Sequence, residues 1–378
     1  MPRSRDIPDD ADEKWRYTDH VAAKHEVLRR YLGAWLPILG RYHEKLVIYD
    51  GFAGRGRYVD GEDGSPVIMF KRAVEAVDAD RVKRVSIVCV EAHPVIYRRL
   101  ETVLAELQHP RVTITARNDT FDVVANGVAD RAAMPGVVAP PIFFTADPFG
   151  FRGVPLATIE RLMQIPRLEV LVTFMVRDQR RFLGMENVEA PLTELFGGPA
   201  WRDCLGASDV DRCLVRRYGE QVRNRGIARW ATPFQVHEDE RRQTLYYLVH
   251  LTDNARGMRE MKEAMVETSS DMTFWPVTVR PRDQLALEVD EIAPFPSLQT
   301  HLIHKYGGQR MTFEALLNDD YPDGTWVERQ YRDAIKDLAA HDAGATIHYD
   351  RVTPTGRAPR GLEYDDEVAF GSQGLFVV

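Results

Sequence analysis

Hydrophobic and polar positions follow two different periods along this chain. Val21, Leu28, Tyr31, Leu32 and Trp35 recur at helical spacing. Thr18 and Asp19 are candidate caps for that helix, and Pro37 is expected to end or bend it. Extended and helical segments alternate from there. Apolar runs at 46–49, 84–90, 112–116, 142–146 and 170–176 predict five strands, and 66–77, 94–107 and 156–163 predict helices among them. The strands are apolar almost throughout rather than at every second position. That pattern predicts a parallel sheet covered on both faces, an α/β fold of Rossmann-like type.

Segments 232–237 and 244–252 flank a charged turn at 239–242, which predicts an antiparallel hairpin closing the sheet. The stretch 182–229 reads as helical and arginine-rich, and Met258, Met261 and Met265 form a stripe read as core packing. A proline-bearing connection at 289–296 marks a change of organisation. Beyond it, helices at 298–306, 312–318 and 327–340 and strands at 345–349 and 361–364 surround a loop at 351–360. Three helices and a hairpin form the pattern of a winged helix. The expected domains are therefore a polar lead-in at 1–14, a sheet domain at 15–288 and a winged-helix domain at 296–378.

Composition narrows the function classes. The 378 residues are 44% hydrophobic and 28% charged, the balance of a folded soluble protein. No run approaches the roughly 18–20 apolar residues of a membrane helix, and the first residues carry no apolar signal segment. Cys89, Cys204 and Cys213 form no CxxC pair, and their odd count predicts buried free thiols in a reducing cytoplasm. A cysteine-ligated metal site is excluded on the same ground. The net charge of −8 argues against a protein that coats nucleic acid and leaves only local patches for such contact. In 296–378 acidic residues outnumber basic ones thirteen to eight, although the expected wing carries Arg351, Arg357 and Arg360.

The candidate chemistry gathers at the ends of the expected strands. Asp50-Gly51-Phe52-Ala53-Gly54-Arg55-Gly56 follows the first strand, and Glu91 ends the second. Glycines there let the backbone approach a ligand, and the carboxylate can accept both ribose hydroxyls of an adenosine cofactor. The loop runs on past Gly61 and Gly64 before a helix begins, so the third glycine of a dinucleotide site is missing. Asp50 suits a cationic ligand better than a pyrophosphate, which favours S-adenosylmethionine over NAD; a purely structural turn remains the alternative. Asp147-Pro148-Phe149-Gly150 follows the fourth strand. Amino-group methyltransferases carry [D/N]-P-P-[Y/F/W] at this place, where the carboxylate binds the target NH2 and the ring stacks on it. Here the aromatic falls one residue early, leaving Phe149 or Phe151 beside the acceptor, and Asp147 capping a turn is the plainer reading. Asp119, after the third strand, is a candidate adenine contact or a turn residue. Lys24 and His25 either line the substrate side or lie on the helix surface. Arg177 and Arg181 either contact phosphate or are solvated. No H-E-x-x-H, G-x-S-x-G or Walker A sequence is present.

With these residues in hand, the chain resembles the three-Cys-motif partner (TcmP) family. The resemblance rests on K-W-R-Y-T-D-H, A-A-K-H-E-V-L-R-R-Y-L, D-G-F-A-G-R-G-R-Y, G-S-P, D-P-F-G-F-R-G-V-P and Y-Y-L-V-H-L-T-D-N-A-R-G, in order over roughly residues 14 to 265. It implies a class I methyltransferase sheet followed by a winged helix-turn-helix. It also implies a partner protein, radical-S-adenosylmethionine-like, that carries the three cysteines. The expectation is an S-adenosylmethionine-dependent methyltransferase acting on a nucleic-acid amino group, RNA or DNA. Its alternative is a non-catalytic adaptor or regulator that binds cofactor or nucleic acid and docks the partner.

Overall fold

A computed structural model describes residues 15–148, 150, 152–238, 243–268, 298–321, 326–340, 344–348 and 361–371. The chain divides into two compact units, Met1–Ser269 and Ser270–Val378. The expected connection at 289–296, the lead-in 1–14 and the loop 351–360 lie outside the described residues.

The first unit opens with α1 (Asp19–Gly40) and then alternates: β1 (Lys45–Asp50), α2 (Ser65–Asp78), β2 (Arg84–Val90), α3 (Pro94–Ala105), β3 (Val112–Arg117), α4 (Phe121–Ala132), β4 (Ile142–Ala146), α5 (Leu156–Met163) and β5 (Leu168–Phe174). There follow α6 (Val176–Phe182), α7 (Glu186–Phe196), a 3-10 turn at Pro199–Cys204, α8 (Val210–Asn224), β6 (Trp230–Glu238), β7 (Gln243–Thr252) and α9 (Ala255–Thr268). The seven strands lie in the order β3-β2-β1-β4-β5-β7-β6. The first five run parallel, while β7 is antiparallel to both β5 and β6. A dinucleotide-binding sheet ends 4-5-6; here the closing hairpin inserts its second strand against β5. The protein is thus an α/β fold with a mostly parallel seven-stranded sheet.

Side-chain alternation explains why the strands read as continuous apolar runs. Phe143 faces α1, with ring centres 5.2 Å from Tyr31 and 5.9 Å from Trp35. Its neighbour Phe144 points the other way, edge-on to Phe121 of α4 at 5.5 Å. Both faces are covered, so successive residues are buried. Met258, Met261 and Met265 are fully buried in α9, as core packing requires.

Several local expectations change. α1 passes through Pro37 and ends at Gly40, and Thr18 occupies its N-cap position without a side-chain cap. β5 lies two residues earlier than expected, because the apolar run continues from the strand into Val176, which opens α6. α4 has an alanine-rich buried face (Phe121, Ala125, Ala129) too weak to stand out in the sequence. The cysteine expectation is corrected: Cys204 and Cys213 form a disulfide, leaving Cys89 as the free, buried thiol. The two meet because the 3-10 turn ends beside the start of α8, a proximity that counting cysteines cannot reveal.

The second unit contains α10 (Leu298–Tyr306), β8 (Arg310–Thr312), α11 (Phe313–Asp320), α12 (Glu328–Ala340), β9 (Ala345–His348) and β10 (Glu367–Phe370). Its antiparallel sheet has the order β8-β10-β9. The last strand replaces the one expected at 361–364. Residues there form a turn instead, closed by the Glu363 amide donating to the buried Asp366 carboxylate at 2.7 Å. Buried Asp320 ties the helices, accepting from His301, Lys305 and Tyr331 at 2.9, 2.8 and 2.6 Å. Among the described residues no helix is long and apolar enough to cross a membrane.

Candidate functional site

The strand order reverses at β1, which has β2 on one side and β4 on the other. Parallel α/β sheets open a crevice at the carboxyl ends of strands flanking such a reversal. Asp50 ends β1 and Asp147 follows β4, so the fold brings these two carboxylates to one crevice. Between them the Gly51 amide donates to the Thr145 carbonyl at 2.8 Å. A Cβ on Gly51 would lie 2.7 Å from that same carbonyl oxygen, so only glycine lets the loop leave β1 this close to β4.

The glycine loop is pinned from three directions. The Ala53 amide donates to the Val90 carbonyl at 2.9 Å, and Phe52 stacks on Phe121 at 5.6 Å. Gly54, with φ +61°, lies beneath the Trp15 ring, which any Cβ there would overlap. Gly56 also takes a positive φ, +81°. The segment carrying Trp15 crosses the loop, because Trp15 accepts from the Val59 amide at 3.0 Å and Tyr17 donates to Asp60 at 3.0 Å.

Glu91 stands just beyond β2, nearly buried, and accepts from the His93 amide at 2.7 Å. Burial raises its pKa above the usual carboxylate value, opposed by that amide and by the one at Gly54. Asn118 braces this turn, donating to the carbonyls of Glu91 and Ala92 at 2.9 and 3.2 Å. Asp119 is exposed and bonds the next amide, Thr120, at 2.8 Å.

Asp50 is the most constrained acid of the crevice, with 1% of its surface exposed. Its Oδ1 accepts from the Thr145 hydroxyl at 3.2 Å and the Phe52 amide at 3.4 Å, while its buried Oδ2 has no protein partner. Burial pushes the carboxyl up to about 6; the Ser65 hydroxyl opposes the shift and the charge of Asp147 adds to it. Asp147 is ion-paired with Lys24 of α1. Burial works against charging Lys24, but Asp147 and the neighbouring Tyr58 and Tyr246 hold its pKa above the usual lysine value. His25, next on the helix, is buried and its Nδ1 has no partner. Burial first, then the charges of Lys24 and Arg29, lower its pKa well below the ordinary value, so the ring is neutral. Tyr17 and Tyr58 pack on it, each at 5.7 Å between ring centres.

Lys24, His25, Asp50, Ser65, Thr145 and Asp147 form the polar wall of one recess, with Leu28, Leu171, Thr173 and Leu248 completing it. Lys24 and His25 thus belong to the crevice and not to the helix surface. Ser65 and Thr145 join them; the sequence alone assigns neither a role, although Ser65 lies in the G-S-P motif. Thr145 adjoins Asp147 in the T-A-D-P run, whereas no spacing signals Ser65, which reaches Asp50 only because α2 starts there. Pro148 is buried; Phe149 and Phe151 lie outside the described residues. Arg177 is exposed on α6 and is not among the residues that line the recess. Arg181 is also on α6, with its side chain outside the described residues, and Arg180 between them pairs with Asp211 of α8.

No protein-family model matches the chain, and no curated protein matches it. Solved structures do. A spermidine synthase in complex with the transition-state analogue AdoDATO is 9% identical over 64% of this chain and 64% of its own, with a TM-score of 0.31. The chain therefore spans just under two thirds of that enzyme's length. An rRNA methylase from Streptococcus thermophilus is 13% identical over 60% of this chain and 93% of its own, TM-score 0.26. Human methyltransferase-like protein 13 in complex with SAH is 13% identical over 67% and 92%, TM-score 0.32. With scores this low, the class of fold rests on the strand order and register described above.

Proposed function

We propose that the chain is an S-adenosylmethionine-dependent methyltransferase that modifies an amino group of a nucleic acid. The observation that carries this reading is Asp50 Oδ2, a buried carboxylate oxygen without a protein partner, in a recess shared with Asp147. An acid held that way fits a cationic ligand, and the methionine end of S-adenosylmethionine carries an ammonium beside its sulfonium. Bound there, the cofactor supplies an electrophilic methyl group. Asp50 would pair with its ammonium, and Glu91 would accept its ribose hydroxyls. The backbone of Gly51, Phe52, Ala53, Gly54 and Gly56 would line it, with Asp119 near the adenine. Asp147 would orient the acceptor nitrogen, with Pro148 shaping the turn and Phe149 or Phe151 beside the base. Alignment and electrostatics would supply most of the acceleration. The reading places the protein in the cytoplasm with a radical-S-adenosylmethionine-like partner bearing the three cysteines. It treats the second unit as a winged helix, supported by its α-β-α-α-β-β order and the arginines of 351–360.

Calorimetry with S-adenosylmethionine and S-adenosylhomocysteine tests the cofactor assignment. Micromolar binding that weakens at least tenfold in Glu91→Ala is the expected result; no binding by folded protein overturns it. Asp147→Ala should abolish transfer and leave cofactor affinity nearly unchanged. Loss of both together would remove its assigned role.

One observation favours the adaptor reading: Lys24 already occupies Asp147, the group an acceptor amine would need. That reading expects co-purification with the cysteine-motif partner, lost on truncation near residue 290. Methyl transfer without the partner would count against it.

A further inference from the structure

Methylating an amine leaves a surplus proton on nitrogen, and the recess offers few groups able to take it. Lys24 is a cation bonded to Asp147 and has no free lone pair. Asp147 is held by that ammonium, and its assigned task is to orient the acceptor. Asp50 is assigned to the cofactor's ammonium. The Thr145 hydroxyl donates to Asp50, and Ser65, the other hydroxyl, is no base at neutral pH. His25 remains: among the described lining residues it is the one neutral nitrogen base.

Its geometry suits the task. The side chain is 1% exposed yet lines the recess, and Nδ1, buried, has no hydrogen-bond partner in the protein. Most buried polar nitrogens are bonded, and an open Nδ1 on a residue that lines the recess is free to accept a proton from a bound group. Tyr17 and Tyr58, themselves 5.2 Å apart between ring centres, pack together against one side of the ring and restrain it. Lys24, the preceding residue, puts a fixed positive charge next to it. Once protonated, the imidazolium would be repelled by that charge, which favours return to the neutral ring.

We propose that His25 is the general base of the transferase, taking the proton from the acceptor amine as it is methylated. The inference rests on the methyltransferase reading. The nitrogen lone pair forms the new N–C bond, and the C–S bond breaks with its electron pair staying on sulfur as a neutral thioether. The N–H bond then breaks, with its proton passing to the imidazole and its electron pair returning to nitrogen. Atoms and charge balance with no further reactant.

The test uses the full-length protein, methyl-labelled S-adenosylmethionine, and single-stranded RNA and DNA oligonucleotides containing adenine and cytosine. His25→Ala should lower kcat by about a hundredfold or more while S-adenosylhomocysteine affinity, read by calorimetry, stays at the wild-type value. Added imidazoles should restore the rate in proportion to their basicity, which a cavity-filling role would not produce. Independently of turnover, nitrogen-15 spectra of histidine-labelled protein should show a neutral His25 ring at pH 7.5; a protonated ring overturns the proposal. A His25→Ala rate equal to wild type, or rescue indifferent to base strength, overturns this inference alone. Absence of transfer by the wild type to every oligonucleotide overturns the acceptor reading and this inference with it.

Discussion

Asp50 carries the clearest pH signature of any single residue. Its carboxyl is pushed from an ordinary 3.8 up to about 6 on folding. Between those values the folded chain holds a proton that the unfolded chain has lost. Stability from this group is therefore complete below the lower value and declines as pH rises through the upper one, by on the order of 3 kcal/mol. Asp50→Asn removes the titration. The variant should match wild type in melting temperature near pH 4 and exceed it at pH 7.5; a difference that does not change with pH would refute the assignment. A bound cation favours the ionised carboxylate, so cofactor binding near pH 6 should release a proton. Calorimetry in buffers of different ionisation enthalpy reads that release. Gly54 makes a second residue-scale test. Alanine there meets both a positive φ and the Trp15 ring, and should destabilise the fold by more than about 1 kcal/mol. Denaturant unfolding measures the loss.

Elements are held together by buried polar links as well as by apolar packing. Tyr31 of α1 donates to Glu169 of β5, which also bonds His250 of β7 at 2.9 Å. All three are buried, and Glu169 sits near the start of its strand, at the opposite end of the sheet from the recess. Tyr31→Phe should lower unfolding free energy by about 1–3 kcal/mol and leave S-adenosylhomocysteine affinity unchanged, as read by urea titration and calorimetry. The Cys204–Cys213 bond closes a short loop, and the chain-entropy account assigns such closure roughly 2–3 kcal/mol. Reductant should lower the melting temperature of wild type and not of Cys204→Ser. If the protein is cytoplasmic, this bond is unusual for its compartment. Elements differed in how openly the sequence displayed them. β1, β2 and β4 stood out because burial on both faces makes a strand largely apolar, while β3, at the sheet edge, alternates between covered and exposed residues. The end of β5 did not, because Val176 extends the run into a helix. β8, three residues long, is too short to have a period.

At the scale of the whole molecule, two units divide at residue 269, and the described residues that line the recess belong to the first. A chain ended at Ser269 is expected to fold and to bind S-adenosylhomocysteine as the full chain does; loss of binding would show that the second unit completes the site. The order of strands and helices, the glycine loop and the acids at strand ends are matters of local pattern. Side-chain period and backbone allowance act over a few residues, so the sequence by itself determined them. The meeting of Lys24 with Asp147, the orphaned oxygen of Asp50, the burial of His25 and the pairing of Cys204 with Cys213 depend on residues distant in the chain or on how elements pack. No local period encodes those distances. The first three follow from the reversal of strand order at β1 and from α1 packing at the crevice, and the disulfide from the 3-10 turn ending beside α8, which only the tertiary structure decided.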